Sequence, residues 1–106
     1  MVVFKIFSKM GKAVSLDEDR WRHILNHPEM KDQLDRIKET VMNPYEVRES
    51  THDPSILLFY KLYEETPVTE KYLLVVIKTQ NREGFIVTAF STDKVKKGGL
   101  IWKKNH

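Results

Sequence analysis

Six consecutive apolar residues, Tyr72-Leu73-Leu74-Val75-Val76-Ile77, constrain what this chain can fold into more than any other feature. Neighbouring residues of a strand point to opposite faces of its sheet, so this run is apolar on both faces and needs cover on both. It therefore predicts a central strand, over residues 72–79. Further strands are predicted over 56–64 and 85–91, and the short connections between them require antiparallel neighbours.

The segment before these strands carries two helical patterns that meet at a proline. Acidic residues at the start and apolar residues at helical spacing predict a first helix over 18–26. Pro28 disfavours helical backbone at His27 and suits the first position of a second helix. That helix is expected to end at Asn43-Pro44. His27 should thus lie in the corner between two helices, with His23 one turn before it.

The predicted fold class is α+β, with two N-terminal helices packed on an antiparallel sheet of about four strands, of which the first covers 45–50. Residues 1–14 predict a short hairpin or arm ahead of the helices. Gly98-Gly99 is a joint before 100–102, which either form an edge segment or fold back onto the sheet. A chain of 106 residues has room for one such core, so residues 1–106 are expected to form a single domain.

Composition excludes some classes of protein. The chain has no cysteine, which excludes disulfides and thiolate metal sites. Residues 1–7 are interrupted by Lys5 and are too short to cross a membrane, so we expect a cytoplasmic protein without a membrane partner. Residues 94–106 form a basic tail, with five lysines and no acid among 94–104. Such a tail suits a polyanion, although a solubilising tail is the more frequent explanation.

His23 and His27 are the first candidates for chemistry. Two histidines four residues apart can hold zinc, but the zinc-protease pattern needs glutamate where this chain has Ile24. A third ligand would have to be Glu29 or His52, and neither spacing supports it. We therefore expect no metal and no cofactor. Two imidazoles beside a phosphodiester can instead serve as base and acid.

Other polar side chains interrupt the apolar strands. The candidates for charge stabilisation or substrate contact are Lys61, Thr88, Arg48, Tyr60, Lys94 and Lys97. Each has a structural alternative. A lysine can extend its amine to solvent at a sheet edge, and threonine is a good strand former. Arginine on a strand is more often solvated or paired with a glutamate, and tyrosines on a sheet are most often core or rim.

Blocks of sequence along residues 15–103 occur in the order Trp21-x-His23-Ile24-x-x-His27-Pro28-Glu29, Ile37-Lys38-Glu39-Thr40-x-x-Asn43-Pro44, Phe59-Tyr60-Lys61, Leu73-Leu74-Val75-Val76 and Val87-Thr88-Ala89-Phe90. In this order they resemble a family of small phage- and bacteria-borne proteins that is grouped with barnase, EndoU, colicin D and RelE as a nuclease superfamily. The resemblance implies an α+β fold and a metal-independent endoribonuclease of toxin or tRNA-cleaving type. It also places His23, His27, Lys61 and Thr88 in the active site, and Arg48 matches more loosely.

The sequence therefore predicts an endoribonuclease that cleaves RNA through a 2′,3′-cyclic phosphate. The catalytic residues would be His23, His27, Lys61 and Thr88, and Arg48, Tyr60, Lys94 and Lys97 would bind the substrate. The expected partners are RNA, with tRNA as one candidate, and an antitoxin or immunity protein. The alternative is a non-catalytic module that binds nucleic acid or protein on the same fold.

Overall fold

In the part of the chain that the structure describes, a seven-stranded mixed sheet carries two short helices. The computed structural model describes residues 1–63, 72–95 and 98–104, and 51% of the described residues are in strands. The prediction of two N-terminal helices on an antiparallel sheet of about four strands is therefore wrong. The elements in chain order are β1 Val2–Phe7, β2 Ala13–Asp17, α1 Glu18–Ile24, a 3₁₀ turn at Pro28–Met30, α2 Leu34–Met42, β3 Glu46–Ser50, β4 Ile56–Leu62, β5 Tyr72–Gln80, β6 Glu83–Thr92 and β7 Gly98–Lys103.

Strand β5 lies in the middle of the sheet, as its apolar run predicts. The strand order is β1-β2-β6-β5-β4-β3-β7. Strands β3 to β6 form an antiparallel meander in which Val75 of β5 lies between Phe59 of β4 and Ala89 of β6. Strand β7 pairs antiparallel with the outer side of β3, so residues 98–103 form an edge strand.

The N-terminal hairpin makes the sheet mixed. Strands β1 and β2 are antiparallel, as the strand-like residues of the N-terminus predict. Strand β2 then pairs in parallel with the start of β6, where Ala13 lies opposite Glu83 and Ser15 opposite Phe85. A parallel pair needs a long connection, and here both helices and three strands provide it. Such a pairing joins distant parts of the chain, and no local pattern predicts it.

The helices are shorter than predicted. Helix α1 ends at Ile24, and the segment that begins at Pro28 forms one 3₁₀ turn before α2 starts at Leu34. Between them Asp32 adopts a left-handed backbone with φ of 61°, which interrupts a continuous helix. Neither helix in the described part of the chain is long and apolar enough to cross a membrane.

The sheet has a large core on the helix side and a smaller one on the opposite side. Buried residues on the helix side are Phe4, Val14, Leu16, Ile24, Met30, Ile37, Val41, Val47, Phe59, Leu73, Val75, Ile77, Ile86 and Ala89. The smaller cluster consists of Leu58, Tyr60 and Leu74, against which Ile56, Tyr72, Val76, Phe90 and Val95 pack. Alternate residues of β4 and β5 thus serve different cores, which is why both strands are apolar throughout.

The sheet curls so that the turn between β1 and β2 reaches β7. Lys9, in the turn between β1 and β2, places its Nζ 5.2 Å from the ring centroid of Trp102 in β7. The backbone N–H of Lys9 also donates a 3.0 Å hydrogen bond to the carbonyl of Val41 in α2. Residues of α2 and of both edge regions join one core, so the sheet wraps around this helix.

Candidate functional site

The two histidines of the N-terminal segment lie beside β6. His27 precedes the 3₁₀ turn with extended backbone, φ −89° and ψ 105°, because the following Pro28 excludes helical backbone there. Its half-buried ring packs on Phe90, with centroids 5.5 Å apart and planes tilted by 34°. His23 is exposed in the last turn of α1. One imidazole is thus held against the sheet, and the other is open to solvent four residues earlier.

Glu29 anchors the same corner to the edge of β6. Its Oε2 accepts a hydrogen bond from the backbone N–H of Ser91, 3.3 Å away. Strand β2 pairs with β6 only as far as Phe85, so no described strand covers this part of the edge. Sequence reasoning considered Glu29 only as a metal ligand, and the structure instead places its carboxylate on a backbone donor.

Lys94 follows β6 in a tight turn at the same end of the strand. Its backbone N–H donates a 3.3 Å hydrogen bond to Thr92 Oγ1, and the Thr92 hydroxyl donates a 3.2 Å bond to the Lys94 carbonyl. The side chain of Lys94 is exposed. Lys97, the other lysine predicted to bind phosphate, lies outside the described residues. A cation is therefore attached to the strand end that carries Phe90.

Thr88 lies on the sheet face opposite the helices, paired with Val76. Its hydroxyl oxygen is buried and has no hydrogen-bond partner among the described residues. Phe90 is two residues further along and points to the same face. Thr88 is thus near the histidine corner in the strand, but its hydroxyl is enclosed and is not presented to a bound phosphate.

Lys61 lies on the helix side of the sheet, opposite to Thr88. It pairs with Leu73, which belongs to the core under the helices. Its Nζ donates a 2.8 Å hydrogen bond to the carbonyl of Asn43 and lies 3.4 Å from Glu39 Oε1. Both partners belong to the C-terminal end of α2. The lysine therefore binds the end of a helix, where unpaired carbonyls attract a cation.

Arg48 and Tyr60 are held inside the structure. The Nε of Arg48 donates a 2.6 Å hydrogen bond to Glu46 Oε2, and its Nη1 donates a 3.0 Å bond to the carbonyl of Gly98. Glu46 is buried, so this is a partly buried ion pair within β3, and the bond to Gly98 joins β3 to β7. Tyr60 is fully buried and packs edge-on against Tyr72, with centroids 6.2 Å apart. Its ring is therefore not accessible for stacking on a base.

The four residues predicted to be catalytic do not converge, because Lys61 and Thr88 lie on opposite faces of the sheet. The contacts that the structure does show at this corner join His27 to Phe90 and Glu29 to Ser91. His23 lies one helical turn before His27, and Lys94 follows the same end of β6. Sequence reasoning missed Phe90, since nothing local connects a strand phenylalanine to a distant histidine.

Within residues 1–63, 72–95 and 98–104, no three His, Asp or Glu side chains are placed to hold a metal ion. Comparisons with protein-family models, with curated proteins and with solved structures found no match.

Proposed function

We propose that this protein is a metal-independent endoribonuclease whose acid and base are His23 and His27. The observation that carries the proposal is the packing of His27 on Phe90, which fixes an imidazole at the open edge of β6. Histidine changes its charge near neutral pH, so one imidazole can accept a proton while the other donates one. His23 is exposed one turn earlier on α1, where it can reach the same bound strand of RNA.

The reaction is a transesterification within one nucleotide. One imidazole takes the proton of the 2′-hydroxyl, whose oxygen attacks the adjacent phosphorus and forms a pentavalent phosphorane. The bond to the 5′-oxygen of the next nucleotide then breaks, and the second imidazole gives that oxygen a proton. The products are a 2′,3′-cyclic phosphate and a free 5′-hydroxyl. DNA is not a substrate, because it lacks the attacking hydroxyl.

The phosphorane needs a cation, and Lys94 is the residue we assign to it. Lys94 is exposed and attached to the end of β6 that carries Phe90. Lys61, which the sequence favoured, is occupied by the carbonyl of Asn43 and has only 16% of its side chain exposed. Positive charge near the leaving and attacking oxygens stabilises charge that develops in the transition state.

A non-catalytic nucleic-acid-binding module is the second candidate. The observation in its favour is that Thr88 and Lys61 are engaged in the fold or enclosed by it. Binding would then depend on the exposed lysines, through contacts to phosphates and the release of counterions. Such a module would retain RNA without cutting it.

We place the activity in the cytoplasm, with tRNA as one candidate substrate. A toxin-like ribonuclease acting there requires a protecting antitoxin or immunity protein. Expression of the wild type without that partner should slow growth, and His27→Ala should relieve the effect.

The test is incubation of purified protein with total tRNA and with a short labelled RNA in EDTA. The variants are His23→Ala and His27→Ala, with His52→Ala as the matched control because His52 is exposed in the turn before β4. A substrate with 2′-deoxyribose at the cleaved position tests the attacking group. Circular dichroism and RNA affinity are measured for each variant.

We expect cleavage with cyclic phosphate ends by the wild type and by His52→Ala. Each of the other two variants should lose about 100-fold or more in rate while the fold and RNA affinity persist. Intact RNA with folded, RNA-binding wild type would contradict the catalytic proposal and favour the binding module. Cleavage that survives both histidine substitutions would rule out this site.

A further inference from the structure

Strand β7 leaves one of its long sides open. It pairs with β3 on one side, and no described strand pairs with the other. The N–H and C=O groups of successive residues in a strand point alternately to its two sides, so about half of the backbone groups of β7 point away from β3. An edge of this kind is a template on which another extended segment can add.

The side chains of β7 are apolar at its centre and basic at its end. Leu100 is 53% exposed and Ile101 is 42% exposed. Lys103 and Lys104 are also exposed, and residues 94–104 contain five lysines and no acid. The edge therefore offers backbone hydrogen bonds, an aliphatic contact and a strong positive charge together.

We propose that β7 is a docking edge for an acidic, extended peptide segment of a partner protein. The segment would add as an eighth strand, with apolar residues over Leu100 and Ile101 and carboxylates beside Lys103 and Lys104. The backbone supplies affinity in this mode of recognition, and alternate side chains supply specificity. This inference concerns a surface separate from the histidine corner and holds whether or not the protein cleaves RNA.

Charge decides against a second copy of this chain as the occupant. Two β7 strands paired edge to edge would bring two lysine-rich segments together, and like charges on paired strands are destabilising. An acidic segment gains from the same lysines.

The exposed side chains of β7 argue against nucleic acid as the molecule that docks there. Single-stranded RNA is held by stacking on exposed aromatic rings, whereas the exposed centre of β7 is aliphatic. Trp102, its aromatic residue, is half-buried beneath the ammonium of Lys9.

The experiment uses the full chain and a ten-residue peptide with valines at its centre and glutamates at both ends, which matches an apolar centre and a basic end of β7. Affinity is measured by calorimetry, and hydrogen exchange of the backbone amides of residues 98–103 is followed by NMR. One control peptide has lysine in place of glutamate, and another carries N-methyl groups on alternate residues, which removes the donors. The protein variant is Lys103→Glu with Lys104→Glu, and its matched control is Lys12→Glu with Lys31→Glu, which changes net charge equally.

We expect the acidic peptide to bind and to slow exchange of the outward-facing amides of β7. Affinity should fall roughly tenfold or more with the β7 lysine variant, and the control variant should bind as the wild type does. The lysine peptide and the N-methyl peptide should bind the wild-type protein no more tightly than the acidic peptide binds the β7 lysine variant. Leu100→Ser, an exposed substitution, should also weaken binding without unfolding the protein.

Four outcomes would overturn the proposal. The first is equal binding by the two lysine variants, since it would show only a general attraction of charge. The second is peptide binding without protection of β7 amides. The third is protection of those amides without peptide, rising with protein concentration, which would assign the edge to a second copy. The fourth is displacement of the bound peptide by RNA, with the RNA added at the same total negative charge as the peptide. If the RNA then protects the same β7 amides, the edge binds nucleic acid.

Discussion

The ammonium of Lys61 and the carbonyl of Asn43 are joined by a 2.8 Å hydrogen bond at the C-terminal end of α2. Lys61→Met should therefore destabilise the protein by about 1–3 kcal/mol, because a helix-end carbonyl loses a charged donor. The same change should leave the rate of RNA cleavage per folded molecule unaltered. Urea denaturation and the cleavage assay measure the two effects.

The control for this change is Lys31→Met, at an exposed position, where we expect a stability change within about 0.5 kcal/mol. A 100-fold loss of cleavage by Lys61→Met with unchanged stability would restore the catalytic role that the sequence suggests.

The buried hydroxyl of Thr88 predicts an unusual response to substitution. Thr88→Val removes a polar oxygen that has no described partner and keeps the shape of the side chain. Stability should stay constant or rise by about 1 kcal/mol, since an unsatisfied buried group is unfavourable. Thr88→Ser keeps the oxygen, loses a methyl group and should destabilise by about 1 kcal/mol. Thermal unfolding of both variants tests this. A large loss of stability in Thr88→Val would show that the hydroxyl has a partner.

The ion pair of Arg48 and Glu46 should be among the most sensitive sites in the sheet. Arg48→Ala leaves the Glu46 carboxylate, with 4% of its side chain exposed, without its guanidinium and should cost about 3–5 kcal/mol. The exposed pair of Lys5 and Glu83, at 3.2 Å, is the comparison, and Lys5→Ala should cost less than about 1 kcal/mol. Urea titration gives both values. Equal costs would mean that Glu46 is not buried in solution.

Alanine substitutions at the two adjacent glycines of β7 should have very different effects on stability. A Cβ on Gly98 would overlap the carbonyl oxygen of Glu49 on β3, whereas a Cβ on Gly99 would lie at an ordinary 4.0 Å from Glu49 Cβ. Gly98→Ala should destabilise by about 1–3 kcal/mol and loosen β7, and Gly99→Ala should be tolerated. Hydrogen exchange of the β7 amides reports the loosening. The reverse order of the two effects would place β7 in another register.

Low pH should destabilise the turn that contains Asp53, because it protonates this carboxylate. Hydrogen bonds from the Ser55 hydroxyl and N–H, and then from Lys78, lower the pKa of Asp53 from 3.8 to about 2. The folded state thus binds the proton less well than the unfolded state. The stabilisation is complete above pH 4 and is lost as pH falls toward 2. The stability difference between wild type and Asp53→Asn should be steady above pH 4 and shrink between pH 4 and 2. Parallel pH curves for the two proteins would contradict this assignment.

Periodicity and turn chemistry predicted the local elements, but not how distant strands meet. The apolar run of β5 placed that strand at the centre of the sheet, and Pro28 fixed the extended backbone of His27. The parallel pairing of β2 with β6 has no local signal, because it is determined by packing between distant segments. The left-handed residue Asp32 similarly shortened a helix whose apolar spacing is continuous.

The candidate site shows the same division. The pattern around His23 and His27 drew attention to the corner that lies beside β6. To place Lys61 and Thr88 on opposite faces of the sheet, one must know which residues of β4 and β6 point toward the helices. Both strands are too apolar for their sequences to show which face that is. Glu29 and Phe90 became relevant only through contacts that span most of the chain.

The parallel pairing of Ala13 with Glu83 also sets an order on how the molecule is made. A ribosome delivers the β1–β2 hairpin early, long before the strand that completes its pairing has been synthesised. An isolated two-stranded hairpin is marginally stable in water, so during translation this one remains exposed until β6 follows. Slowing the ribosome across residues 18–82 would lengthen that interval.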